Sequence, residues 1–405
     1  NTAFKNSSKY GISSKINLAL LKIRQQLQRI LEILDLLVIN KDSDVIEKSK
    51  KLVTSILEYK SHRNNIRDLV YDSTTLMSHL ITSHTAETGT NYITTSPKEY
   101  IIMLKKASGG GIIVGALCVM KMLYASFPGS EFYHAFLYSF NYALGFIMIY
   151  LMHFTLATKQ PAMTAATMAK VLSDTKNTRK NYTEFAHLVS KLFRSQFIAF
   201  IGNVFWSFPI ALAIIYGLDV LFGQNFAAGD KATKLIHDLD PFHSKALLHA
   251  SLAGFYLFIS GVIAGNVGNR SVFYKIPERI EKNPYIKNLF GQSFAEGLSK
   301  YYSKNWSGIL SNFWLGLFLG STATIAHFFN LDFDIRHITF AGGNFALGLY
   351  GKDFSIDQYT FWVSFVTVFL IGFCNFLVSF GLSMFLAFRS RKLKFGEVRT
   401  LNKHI

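Results

Sequence analysis

Between residues 107 and 388 the chain runs through six apolar stretches of membrane-crossing length, at 107–127, 132–156, 196–222, 246–267, 305–329 and 359–388. About twenty residues at a rise of 1.5 Å cross a hydrocarbon core roughly 30 Å thick, and a helix satisfies its own backbone there. The expected fold class is therefore all-α: a polytopic helical membrane protein with about six spans. A seventh apolar segment, 335–350, is short and rich in glycine. Counted as a full crossing, it would carry the basic C-terminal tail away from the side of the other basic loops. It reads instead as a re-entrant half-helix, whose irregular backbone must face protein or water.

Charge supports that arrangement. Only 17% of residues are charged, yet 42 Lys and Arg against 25 Asp and Glu give a net +17. The excess gathers in three places. Lys159, Lys170, Lys176, Arg179, Lys180, Lys191 and Arg194 lie in 157–195; Arg270, Lys275, Arg279, Lys282, Lys287, Lys300 and Lys304 in 268–304; Arg389, Arg391, Lys392, Lys394 and Arg399 after the last stretch. By the positive-inside rule these segments and both termini are cytoplasmic, with 223–245 outside. Membrane lipids are then the expected partner of the positive charge, and direct nucleic-acid binding is not expected. Cys118 and Cys374 both sit in apolar stretches, so no disulfide framework follows.

Four regions are expected along the chain. Residues 1–84 form a cytoplasmic amphipathic helical region, with Ile16, Leu20, Ile23, Leu27, Ile30, Leu34 and Leu37 at helical spacing. Residues 85–106 form an interfacial elbow ending at Lys105 and Lys106, 107–388 the transmembrane domain, and 389–405 a basic cytoplasmic tail.

Polar residues inside the apolar stretches are the first candidates for function, because each needs a partner helix or a water-filled cavity. They are Lys121, Asn141, Asn203, His249, Asn312, His337, Asn344 and Asn375, assigned here to a substrate-binding interior. Two stretches, 186–275 and 297–352, share motifs in the same order. Ser190-Lys191 precedes Asn203 and Phe205-Trp206, as Ser299-Lys300 precedes Asn312 and Phe313-Trp314; His249-Ala-Ser251-Leu-Ala253-Gly254 then matches His337-Ile-Thr339-Phe-Ala341-Gly342. The expectation is a repeat of two units running in the same direction, pairing Asn203 with Asn312 and His249 with His337. A third look-alike, His153-Phe-Thr155-Leu-Ala157, falls on the opposite face of this topology and is set aside.

At the cytoplasmic mouth, Lys159-Gln160-Pro161 opens a new helix whose free N-terminal N–H groups, with Thr164, offer an anion a place. Asn266, Asn269 and Arg270 are assigned to the same mouth. No Cys, Asp or Glu stands at ligand spacing beside His249 or His337, so no metal is assigned. Ser108-Gly109-Gly110-Gly111 lacks the Gly-Lys-Ser/Thr of a phosphate loop, and hydrolase signatures are absent. No catalytic residue and no cofactor are assigned.

At Thr88-Gly-Thr-Asn91-Tyr92-Ile93-Thr94, Ala107-Ser-Gly-Gly-Gly111, Lys159-Gln-Pro-Ala-Met-Thr-Ala165, Gly265-Asn266-Val-Gly-Asn269-Arg270 and His337-Ile-Thr-Phe-Ala-Gly-Gly-Asn344, the chain resembles the bacterial membrane family called "site-specific recombinase". The resemblance covers roughly residues 85–390. It implies a multi-pass protein of the bacterial cytoplasmic (inner) membrane, and its name implies DNA strand exchange. A tyrosine recombinase needs His-x-x-Arg and further arginines around a nucleophilic Tyr; a serine recombinase needs an N-terminal Ser with an arginine cluster. Neither pattern is present. The leading expectation is a transporter or channel-like protein for a small anionic or amphipathic solute, able to form oligomers. The alternatives are a membrane-embedded enzyme acting on a lipid-like substrate through His249, His337 and Asp332, and a recombination-associated protein.

Overall fold

A computed structural model of the chain describes residues 94–157 and 178–390, the helix 42–62, Ser78, Thr164, Ala165, Met168 and scattered positions within 19–34. The expected elbow up to residue 93, Lys159, Gln160 and the tail from residue 391 lie outside the described residues. Every described element is helical: α1 (Asp42–His62), α2 (Pro97–Tyr124), α3 (Glu131–Leu151), α4 (Thr178–Phe222), α5 (Asp230–His237), α6 (Ala246–Phe273), α7 (Ile276–Glu281), α8 (Pro284–Phe290), α9 (Gln292–Phe328), α10 (Ile338–Gly351) and α11 (Gln358–Ser390). Six of them, α2, α3, α4, α6, α9 and α11, are long and apolar enough to cross a membrane. The all-α polytopic class is therefore borne out, with α10 as the half-helix.

Helix starts follow local chemistry rather than hydropathy. Ser96 caps α2 by accepting from the Glu99 amide, and Pro97 occupies the first turn where its missing N–H costs nothing. No breaker stands between Pro97 and the apolar run. One continuous helix therefore replaces the expected boundary at residue 107. At 45 residues, α4 would extend roughly 65 Å, more than twice the hydrocarbon thickness, so its basic first turns project beyond the apolar core.

The bundle has two ends. At one, His327 of α9 meets Glu131 of α3 at 2.8 Å, Lys231 donates to Ser126 at 2.7 Å, and Lys245 pairs with Asp332 at 2.8 Å. At the other, the Tyr150 hydroxyl donates to the Lys304 carbonyl and Ser299 to the Pro277 carbonyl. Three pairings dominate the packing between helices: α3 on α9, α2 on α4, and α6 on α11. The first depends on small residues. A Cβ on Gly316 would strike the Ala143 backbone, and one on Gly320 the Ser139 backbone, so α3 and α9 touch backbone to backbone.

Candidate functional site

The chain twice breaks its helical path inside the bundle. Residues 152–156 link α3 to a buried turn at Ala157, and residues 329–337 link α9 to α10. Breaks of this kind expose backbone groups that only the protein can satisfy. Two asparagines do so.

Asn203, fully buried in α4, donates through Nδ2 to the carbonyls of Ala107 (2.7 Å) and Thr155 (3.0 Å); its Oδ1 accepts from the Ala157 amide (3.0 Å) and the Thr339 hydroxyl (3.1 Å). Both donors and both acceptor positions of the side chain are used. One residue thus ties together α2, the first break, α4 and the start of α10. Asn375, fully buried in α11, donates to the carbonyls of Ala250 (2.8 Å) and Arg336 (2.9 Å) and accepts from the Ile338 amide (3.1 Å). Close backbone approach accompanies each asparagine: a Cβ on Gly111 would meet the Asn203 carbonyl, and one on Gly254 would lie 2.9 Å from the Asn375 carbonyl.

Beside these staples lies a group of polar and aromatic side chains. The Phe340 ring sits 4.6 Å from Tyr142, 5.9 Å from Phe146 and 6.0 Å from His337. The Lys121 ammonium lies over the Tyr138 and Tyr142 rings, at 5.4 and 5.7 Å from their centres. Tyr142, Phe146 and Phe340 are buried in one core with Leu257 and Leu315, so the bundle centre is packed. Towards the bundle end, Arg336 binds Asp238 at 2.7 Å and also Asp334, and its backbone N–H donates to the His249 carbonyl. Its Nε has no partner among the described residues. The His249 ring donates from Nε2 to the Asp332 carbonyl at 3.4 Å, and the Lys245 ammonium beside Asp332 holds that exposed carboxyl below the usual carboxylate range.

The predicted residues thus separate into groups. Asn203 meets the start of α10, Asn375 brackets His337, and Lys121 stands with His337 around the Phe340 and Tyr142 rings. Asn141 is buried nearby and donates to the Leu117 carbonyl at 3.1 Å. His249 lies on the edge, beside Asp332. Asn312 donates to the Gly308 carbonyl of its own helix, and Asn344 is half-buried with no hydrogen bond among the described residues. Of the mouth residues, Thr164 and Asn269 are buried, whereas Asn266 and Arg270 are exposed, Arg270 lying over its neighbour Tyr274. Among the described residues no three of His, Cys, Asp and Glu stand close enough to hold a metal ion.

Sequence reasoning passed over Asp238, Asp334, Arg336, Tyr142 and Phe340. The alternation Asp332-Phe-Asp334-Ile-Arg336, directly before an apolar half-helix, is the signal that could have found the charges of the second break. A sequence family described as "Site-specific recombinase" matches residues 1–405. No curated protein and no solved structure matches the chain.

Proposed function

The chain belongs to the site-specific recombinase family, and for this membrane-type member we propose a transporter or channel-like function for a small anionic or amphipathic solute. One observation carries the reading: a cation, Lys121, stands in the bundle interior with no carboxylate at ion-pair distance among the described residues, next to the start of the half-helix α10. Membrane carriers build central sites from broken helices, and the N-terminal end of a half-helix favours negative charge. Lys121 and the first turn of α10 supply that environment from two different elements. The packed rings of Tyr142, Phe146 and Phe340 then act as the closed gate, since an apolar constriction excludes water and ions until it widens.

Reconstitution into liposomes tests this. Purified protein is expected to carry a member of a panel of inorganic anions, small carboxylates and amphipathic acids faster than protein-free vesicles, and Lys121→Met to reduce that flux at least tenfold while the protein stays monodisperse. Absence of flux for the whole panel, or full flux in Lys121→Met, refutes the reading. Cleavage or joining of a DNA duplex by the same purified protein would favour the chemistry of the family name instead.

A further inference from the structure

Three hydrogen bonds of each asparagine match atom for atom. In each case Nδ2 donates to a helix carbonyl (Ala107, Ala250) and to a break carbonyl (Thr155, Arg336), while Oδ1 accepts from the amide two residues after that break carbonyl (Ala157, Ile338). The backbone repeats the pattern one step on. Thr155 N–H donates to the carbonyl of Lys106, just before Ala107, and Arg336 N–H donates to the carbonyl of His249, just before Ala250. Ten residues after each of those alanines, a further carbonyl accepts from the next helix: Leu117 from Asn141, and Ser260 from Ser311 at 2.8 Å.

Sequence supports the same register. Ala107-Ser108-Gly-Gly-Gly111 corresponds to Ala250-Ser251-Leu-Ala-Gly254, and both glycines are the points of close approach to the asparagine carbonyl. Asn203-x-x-x-Ser207-Phe208 corresponds to Asn375-x-x-x-Ser379-Phe380. The contact between α3 and α9 is self-matching too. Pairing Asn141 with Ser311 sends the Ser139–Gly320 contact onto Tyr150 and a position one residue from Gly308, and Tyr150 does pack on Gly308.

From these matches we infer that residues 97–222 and 246–390 are two copies of one unit, inserted in opposite directions, with the two breaks opening on opposite faces of the membrane. Direction follows from the ends of the bundle. The helix α2 finishes at the end where α6 starts, and α4 finishes at the end where α11 starts. The two units are therefore related by a pseudo-two-fold axis lying in the membrane plane, through the α3–α9 crossing and between Asn203 and Asn375. This pairs Asn203 with Asn375 rather than with Asn312, and it gives the motif His153-Phe-Thr155-Leu-Ala157 a place as one of the two breaks. It rests on hydrogen bonds, close contacts and sequence register, and stands whether or not a solute moves.

Sided labelling tests the inference. In a background of Cys118→Ser and Cys374→Ser, single cysteines at Met152 and Leu331, both exposed within their breaks, are treated with a membrane-impermeant thiol reagent in sealed vesicles. Inverted units require modification from opposite sides. Modification of both from the same side overturns the inference. If the thiol-free background does not fold, short protease sites inserted after Met152 and Leu331 in the native chain read the same two faces, with the same two outcomes.

Discussion

Replacing Asn203 with alanine should destabilise the protein more than any other single asparagine in the first unit. The side chain satisfies four groups on three segments. The Ala107 carbonyl keeps its intrahelical partner, and the Thr339 hydroxyl can rotate to another acceptor. The Thr155 carbonyl and the Ala157 amide lie in the break, where no helix partner replaces the lost one. Each buried polar group left unsatisfied costs about 1–3 kcal/mol. Two of them give about 2–6 kcal/mol, and side-chain bonds between membrane helices measured at about 0.6–2 kcal/mol pull the expectation to about 3 kcal/mol. Asn141 is the control, because its side chain donates to the Leu117 carbonyl inside a helix, so Asn141→Ala should cost about 1 kcal/mol. Equilibrium unfolding of both variants in detergent micelles measures the difference. If Asn203→Ala unfolds no earlier than Asn141→Ala, the staple is not holding the break, and the reasoning fails.

Gly316→Leu should separate α3 from α9 and cost about 2 kcal/mol or more, whereas Gly297→Leu in the same helix, where nothing lies within reach of a Cβ, should be near neutral; comparable unfolding curves for the two would contradict the backbone contact. A third expectation concerns acid. Lys245 depresses the Asp332 carboxyl, so the pair contributes stability above the unfolded carboxylate range, near pH 4, and loses it as pH falls through the lower folded value. The difference in melting temperature between the native chain and Asp332→Asn should therefore be present at pH 7 and shrink to nothing in strong acid, and a difference that grows on acidification would reverse the sign assumed here.

Much of the fold was legible because hydropathy and charge act locally. Six spans and a half-helix near residues 335–350 follow from length, glycine content and the basic loops. The start of α2 was not legible in the same way: hydropathy sees where apolar residues begin, while Ser96-Pro97-Lys-Glu99 sets where the helix begins. Asn203 and Asn375 were recognisable as costly in lipid, but their duty was not, since most of their partners are backbone groups, up to 125 residues away, that carry no side-chain signature. The pairing of Asn203 with Asn312 drew on the Phe-Trp pair that follows each, a motif of two exposed or half-exposed aromatics in each copy. The inferred pairing with Asn375 rests instead on hydrogen-bond partners, which record the place a residue takes in the packed structure.

The engagement of the two asparagines also changes which groups can meet a solute. An amide whose two donors both hold backbone carbonyls offers an anion nothing without first releasing the break it holds. Arg336 is little better placed, because an anion would have to displace two carboxylates, Asp238 and Asp334, from a guanidinium that is largely buried. Lys121 differs. Its company is the faces of Tyr138 and Tyr142, and a cation over an aromatic ring is held by about 0.5–2 kcal/mol. An anion that approaches Lys121 competes with that modest attraction and can leave both rings in place beneath it. On the proposed reading, an anionic guest would meet Lys121 at less cost to the fold than the more polar cluster around Arg336.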